Sequence, residues 1–175
     1  MTTEKKPLVP GADAPIRYTQ APPVAPLRAA EASASYGADP TTRIALIREG
    51  IPAAAVGTLA ARMGMSKELM LASLGLSRAT ISRKEREAAR LSSDETERVL
   101  GFDTLIGQVE TMVAQSGDAQ LAAAAGFDAA HWLAGWLSTP LPALGGLAPA
   151  SYMDTFEGQK LVGDTLAMAQ SGAYA

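Results

Sequence analysis

The chain has 175 residues, enough for one ordinary domain or two small ones. It holds no cysteine and one histidine, which excludes a disulfide framework, a zinc–thiolate centre, a thiol nucleophile and a multi-histidine metal site. Its net charge of −3 argues against indiscriminate coating of nucleic acid, and no apolar stretch free of charges and breakers reaches the ~20 residues of a membrane helix.

Ala, Leu, Met, Arg and Glu are abundant and all favour helix, whereas alternating β-branched and aromatic runs are missing. An all-α fold is expected. The N-terminus lacks the compact apolar core of a secretory signal, so the expectation is a soluble, cytoplasmic chain with no membrane partner.

Residues 1–40 carry seven of the eleven prolines with few bulky apolar residues between them. Such a segment buries too little to offset its ordering entropy and reads as a flexible arm: a tether, a protease-sensitive tail or an inert extension. Order is expected from Thr41, with a short helix presenting Ile44 and Ile47 and ending at Gly50. Pro52 suits the first turn of a second helix, whose Val56, Leu59, Ala60 and Met63 share one face before Gly64 stops it.

Ser66 is placed to cap a third helix with Met70, Leu71 and Leu74 turned inward. A Gly75-Leu76-Ser77 turn follows, and Ser77 caps a fourth helix running from Arg78 to about Ala89. Ser92 and Glu95 form a capping box for a long helix with Val99, Phe102, Ile106, Val109 and Val113 at spacings of three and four. Gly101 and Gly107 within it weaken the helix or admit a close neighbour.

After Ser116-Gly117 the composition changes. Asp128 caps a helix holding Leu133, Trp136 and Leu137, ended by Thr139-Pro140. A Pro/Gly-rich loop spans 141–147, and Pro149 opens a short helix bearing Tyr152, Met153 and Phe156 that Gly158 ends. The last helix turns Leu161, Val162, Thr165, Leu166 and Ala169 to one side and stops at Gly172.

Two stretches carry functional information. From Arg78 to Arg90 five bases face two acids, whereas from Gly117 to Ala175 five acids face one base. The helix, Gly-containing turn and Ser-capped basic helix over Ser66–Ala89 have the form of a helix-turn-helix. A recognition helix entered at Ser77 places Arg78 and Thr80 at base edges, with Arg83, Lys84 and Arg86 one turn on, reaching bases or backbone. The competing reading is a solvated basic helix in a bundle.

The C-terminal run is more particular. Ala134-Gly135-Trp136-Leu137-Ser138-Thr139-Pro140, followed by Ala143-Leu144-Gly145-Gly146-Leu147-Ala148-Pro149, resembles the toxin-binding domain of Xre/MbcA/ParS antitoxins. Thr155, Gly158, the Val162/Leu166 stripe, Gly172 and the terminal Tyr174-Ala175 fit the rest of that domain. Upstream, Gly50-Ile51-Pro52, the Leu59 helix, Leu74-Gly75-Leu76-Ser77, Thr80 and Leu91-Ser92 are similar to the Xre-like portion of the same antitoxins. The resemblance covers about residues 41–175 and implies an Xre-like helix-turn-helix domain at 41–116 and a toxin-binding domain at 117–175, leaving out the Pro-rich arm at 1–40. It further implies a homodimer that binds operator DNA, represses its own operon and covers the active-site cleft of a RES-domain toxin, which consumes NAD or uses it for ADP-ribosylation.

The candidate toxin contacts are Trp132, Trp136, Leu144, Tyr174 and Ala175. Trp132 and Trp136 lie four apart on one helical face; Trp136 is expected to pack on the core and Trp132 to be the more exposed. The terminal Tyr174 ring and Ala175 carboxylate suit a partner's cleft, although chain ends commonly fray. His131 reads as a surface or capping residue.

No catalytic arrangement, metal site or cofactor motif is found. Gly145-Gly146 lacks the lysine and spacing of a phosphate loop, and Asp94/Glu95 read as solvated acids on a capping turn. The rival readings are a helix-turn-helix regulator whose C-terminal domain dimerises or binds a ligand without any toxin, and an interaction protein that never touches DNA.

Overall fold

Seven α-helices and two 3₁₀ turns account for most of the described residues of the computed structural model, which are 37–116, 120, 122 and 125–170. Helix α1, Pro40–Glu49, starts at Asp39, whose carboxylate accepts the N–H groups of Thr41 at 2.9 Å and Thr42 at 3.1 Å. Hydroxyl bonds from Thr41 and then Thr42 hold that carboxyl well below the usual carboxylate range. The helix carries Ile44 and Ile47 as expected, but neither is buried. Leu46 is the buried residue, because α1 packs against a neighbour on one side only, and Ile44 stays 46% exposed.

Pro52 does not open a helix either. The Ile51 carbonyl accepts from the Leu91 N–H at 2.8 Å and the Ala53 N–H donates to Ala89 at 3.1 Å, so this segment is tied to 89–91 as a short extended pairing. A Cβ at Gly50 would lie 2.3 Å from the Leu91 carbonyl oxygen, and its φ is +79°; both demand glycine. Helix α2 therefore begins later, at Ala55–Arg62, and buries Val56, Leu59 and Ala60 as expected, with Met63 and a left-handed Gly64 after it.

Helices α3 (Lys67–Ser73) and α4 (Arg78–Arg86) are capped by Ser66 and Ser77. Helix α4 ends before the expected Ala89, the chain turning through Ala88 at φ 49°. Helix α5, Ser93–Gln115, carries the full Ser92/Glu95 capping box. It buries Val99, Phe102, Ile106 and Val109, and also Thr96, Asp103 and Leu105, because α1 and two later helices flank it on different sides. Asp103 is neutralised by Arg62 of α2 at 3.2 Å.

Helix α6, Ala129–Leu137, is followed by 3₁₀ turns at Pro142–Leu144 and Pro149–Tyr152 and by α7, Phe156–Gln170. Gly158 does not end a helix; it lies in the first turn of α7, where a Cβ would stand 1.9 Å from the Tyr152 carbonyl oxygen. Of the expected inward stripe, Val162, Thr165 and Leu166 are buried, while Leu161 and Ala169 are exposed. The expected stop at Gly172 and the arm up to residue 36 lie outside the described residues.

Buried apolar residues from Leu46 to Leu166 form one cluster, which takes in Met70, Leu74 and Ile81 from the first half and Leu133, Leu137 and Met153 from the second. The expected helical periods thus converge on a single core, with α5 as its spine, packed against α1, α6 and α7.

Candidate DNA-binding and toxin-binding surfaces

The pair α3–α4 forms the first surface. Ser66 Oγ accepts the Leu69 N–H at 3.2 Å and Ser77 Oγ accepts the Thr80 N–H at 3.4 Å, so both helices start where their caps place them. Ile81 is fully buried and locks α4 onto the core. Gly75 makes the turn at φ +62°. The turn is also held from outside: Arg98 donates to the carbonyls of Leu74 at 3.1 Å and Gly75 at 3.3 Å.

The bases expected to meet DNA divide into two groups. Arg78, Arg83 and Arg86 are exposed along α4, with Ser77 exposed at its start and Thr80 half-buried. Lys84 is turned into the fold, where it pairs with Glu95 and both side chains are largely covered. Glu95 is accordingly not the solvated acid expected from its capping turn. Burial pushes its carboxyl upward, but the Lys84 ammonium and the Ser92 N–H outweigh burial and hold it below the ordinary range.

Acids accompany the exposed bases as well. Glu68 lies 3.4 Å from Arg78 and Glu87 lies 3.4 Å from Arg83, while Arg86 donates to the Ser82 carbonyl at 3.4 Å. Exposed pairs of this kind contribute only ~0–1 kcal/mol, so a phosphate can displace the acid at little cost.

The second surface is built on α6. Asp128 caps it by accepting the His131 N–H at 3.0 Å, and that bond, more than the nearby imidazole, lowers the Asp128 carboxyl. His131 is thus at the capping turn, as expected, and its ring lies over Gly64, where a Cβ would come within 2.3 Å of Nε2. Trp132 stacks on Trp136 with centroids 6.4 Å apart and planes 13° off parallel, and Phe127 meets Trp132 at 6.4 Å. Trp136 is half-buried against the core, whereas Trp132 is 43% exposed. Three aromatic rings in a row at the surface are suited to anchoring a partner.

Leu144, by contrast, is buried. Its role is to pin the 141–147 loop, which Leu141 closes by donating to Leu147 at 3.1 Å while Gly145 and Gly146 take left-handed conformations. Tyr174 and Ala175 lie outside the described residues.

The profile of the antitoxin Xre-like helix-turn-helix domain matches residues 42–102, and that of the antitoxin Xre/MbcA/ParS C-terminal toxin-binding domain matches residues 122–172. A Sphingobium protein, strain YBL2, described as a Prs ADP-ribosylating antitoxin, is 42% identical over 142 residues, covering 81% of this chain and 86% of that protein. This chain belongs to the Xre/MbcA/ParS antitoxin family. It is an antitoxin of a toxin–antitoxin system with a helix-turn-helix part and a toxin-binding part, and the family is not a catalytic one.

In this antitoxin α3 and α4 fall inside the first match and the α6 aromatic row inside the second. Sequence reasoning missed the joint between them. Gln159 of α7 donates through Nε2 to the Arg98 and Met153 carbonyls, each at 2.9 Å, and Arg98 in turn holds the helix-turn-helix turn. Gly101 was the available signal, since a glycine inside a long apolar helix marks a close approach. Among the described residues no three His, Asp or Glu side chains are grouped to hold a metal, and no helix is long and apolar enough to cross a membrane.

Proposed function

We propose that this antitoxin neutralises a RES-domain toxin by laying its C-terminal part, residues 117–175, over the toxin's NAD-binding cleft. The observation that carries the reading is the Phe127–Trp132–Trp136 row, whose first two rings are exposed and which stands within the matched toxin-binding segment. Trp132 and Trp136 supply the apolar anchors, Leu144 shapes the adjoining loop, and Tyr174 with the Ala175 carboxylate reaches into the cleft. The name of the Sphingobium relative, a Prs ADP-ribosylating antitoxin, favours a toxin that transfers ADP-ribose over one that destroys NAD.

The part from 41 to 116 acts as the operator reader in a cytoplasmic homodimer that represses its own operon. Ser77, Arg78, Thr80, Arg83 and Arg86 contact DNA directly, while Lys84 contributes by fixing α4 through Glu95. The chain performs no chemistry and needs no cofactor.

The test is bacterial growth while the neighbouring gene is induced alone, with this chain, or with its Trp132→Ala variant. Arrest, rescue and loss of rescue, in that order, are expected. A harmless neighbour refutes the toxin assignment, and full rescue by Trp132→Ala refutes the aromatic anchor. In gel-shift titration of the promoter fragment, Arg83→Ala combined with Arg86→Ala should weaken binding; unchanged binding refutes α4 as the recognition helix.

A further inference from the structure

Neither surface uses a further groove of the fold. A groove of about 540 Å³ runs between α1, α5 and α7, on the outward face of α1. Ile44, Ile47, Leu100, Leu105, Phe156 and Ala167 make it apolar. Two of these, Ile44 at 46% and Phe156 at 63%, are large apolar side chains left open to water. At its edges Arg43 and Lys160 are balanced by Glu97 and Asp164, so it selects no charged ligand. It is separate from the α6 aromatic row and from α4.

We propose that the groove is the docking site of this chain's own N-terminal arm, through the uncharged run Ala21-Pro22-Pro23-Val24-Ala25-Pro26-Leu27. Three observations point to that occupant. First, Pro40, the first residue of α1, itself lines the groove, so the 36 residues preceding the described fold enter at its rim. Second, the run carries the required chemistry: Val24 and Leu27 are apolar anchors, no charge accompanies them, and the prolines pre-set an extended polyproline conformation. Proline-rich segments dock against aromatic-lined grooves for this reason, and Phe156 offers such a ring. Third, the dimensions agree. Seven residues of polyproline helix extend ~22 Å, and the fifteen residues of α7 span a similar ~22 Å.

The linker is ample. The roughly 13 residues from Leu27 to Pro40 reach at most ~45 Å. Tethering gives the arm an effective concentration of ~1 mM, so a weak apolar contact suffices and a free partner of equal affinity is outcompeted.

The full chain contains no cysteine, which makes the test direct. Leu27→Cys and Ala167→Cys are introduced together and joined in dilute solution with a short bismaleimide. The expected product is an intrachain crosslink that falls at least fivefold when Ile44→Asp is added. Mainly interchain product means a second copy fills the groove, and an intrachain yield indifferent to Ile44→Asp means mere tethering; either overturns the proposal. A second measurement leaves every groove residue intact. Val24→Asp with Leu27→Asp should accelerate amide hydrogen exchange severalfold in α1 and α7, and unaltered exchange there overturns the proposal as well.

Discussion

Gly101→Ala should destabilise the antitoxin although it improves the helix that carries it. A Cβ at position 101 would lie 1.8 Å from Gln159 Oε1 and 2.3 Å from its Cδ, so the amide must move. A flexible side-chain end would ordinarily yield cheaply. Here the residue is buried and its Nε2 holds the Arg98 and Met153 carbonyls, both at 2.9 Å. Displacing it breaks two hydrogen bonds and leaves the buried Met153 carbonyl without this donor, a loss of about 2–4 kcal/mol. Alanine recovers about 1 kcal/mol of helix propensity. The net is a destabilisation of roughly 1–3 kcal/mol, which for a chain of this size lowers Tm by about 3–10 °C. Gly57→Ala in α2 is the matched control, because its Cβ would meet nothing within 4 Å; it should raise stability by up to about 1 kcal/mol. Urea denaturation of the two variants beside the parent decides the matter. If Gly101→Ala is as stable as the parent while Gly57→Ala gains, the Gln159 joint contributes nothing and the reasoning is wrong.

Glu95 links stability to acid. Its folded-state carboxyl is depressed, so its contribution is complete above the unfolded carboxylate range near ~4.3 and is lost as pH falls through the folded value. The Tm gap between the parent and Glu95→Gln should be constant from neutral pH to about 5 and close on further acidification; a gap that widens in acid would contradict the Lys84 pairing. On α4, Glu87→Gln removes the acid beside Arg83 and should tighten operator binding severalfold, with the salt slope steeper by up to ~1. Weaker binding by Glu87→Gln would mean that Arg83 does not meet phosphate.

Much of this was legible in the sequence where a local rule acts alone. Ser66, Ser77, Ser92 and Asp128 cap the helices their positions announced, because a side-chain oxygen beside free N–H groups needs no tertiary partner. The buried stripes on α2, α5 and α6 followed from helical period in the same way. What escaped was set by neighbours distant in sequence. Pro52 looked like a helix start until residues 89–91 claimed the backbone on either side of it. Gly158 looked like a stop signal, but its missing Cβ makes room for the Tyr152 carbonyl. The orientation of Lys84 could not be read from a run of bases, since Glu95, which captures it, belongs to the next helix. At the candidate sites, the Trp132/Trp136 contrast was legible from spacing, whereas the inward turn of Leu144 depended on how its loop closes.

The single core threaded by α5 also bears on how such proteins diversify. Leu133, Leu137 and Met153 share one buried cluster with Met70, Leu74 and Ile81, so neither half presents a finished hydrophobic surface of its own. Recombination that exchanged one half for a distant homologue's would leave mismatched knobs along that seam, with cavities costing about 2–5 kcal/mol for each large side chain lost. Modular shuffling is therefore a poor route to a new toxin or a new operator for this lineage. Point substitution at solvent-facing positions such as Trp132 and Arg86 is the open route, because those side chains stand outside the seam and can vary without disturbing it.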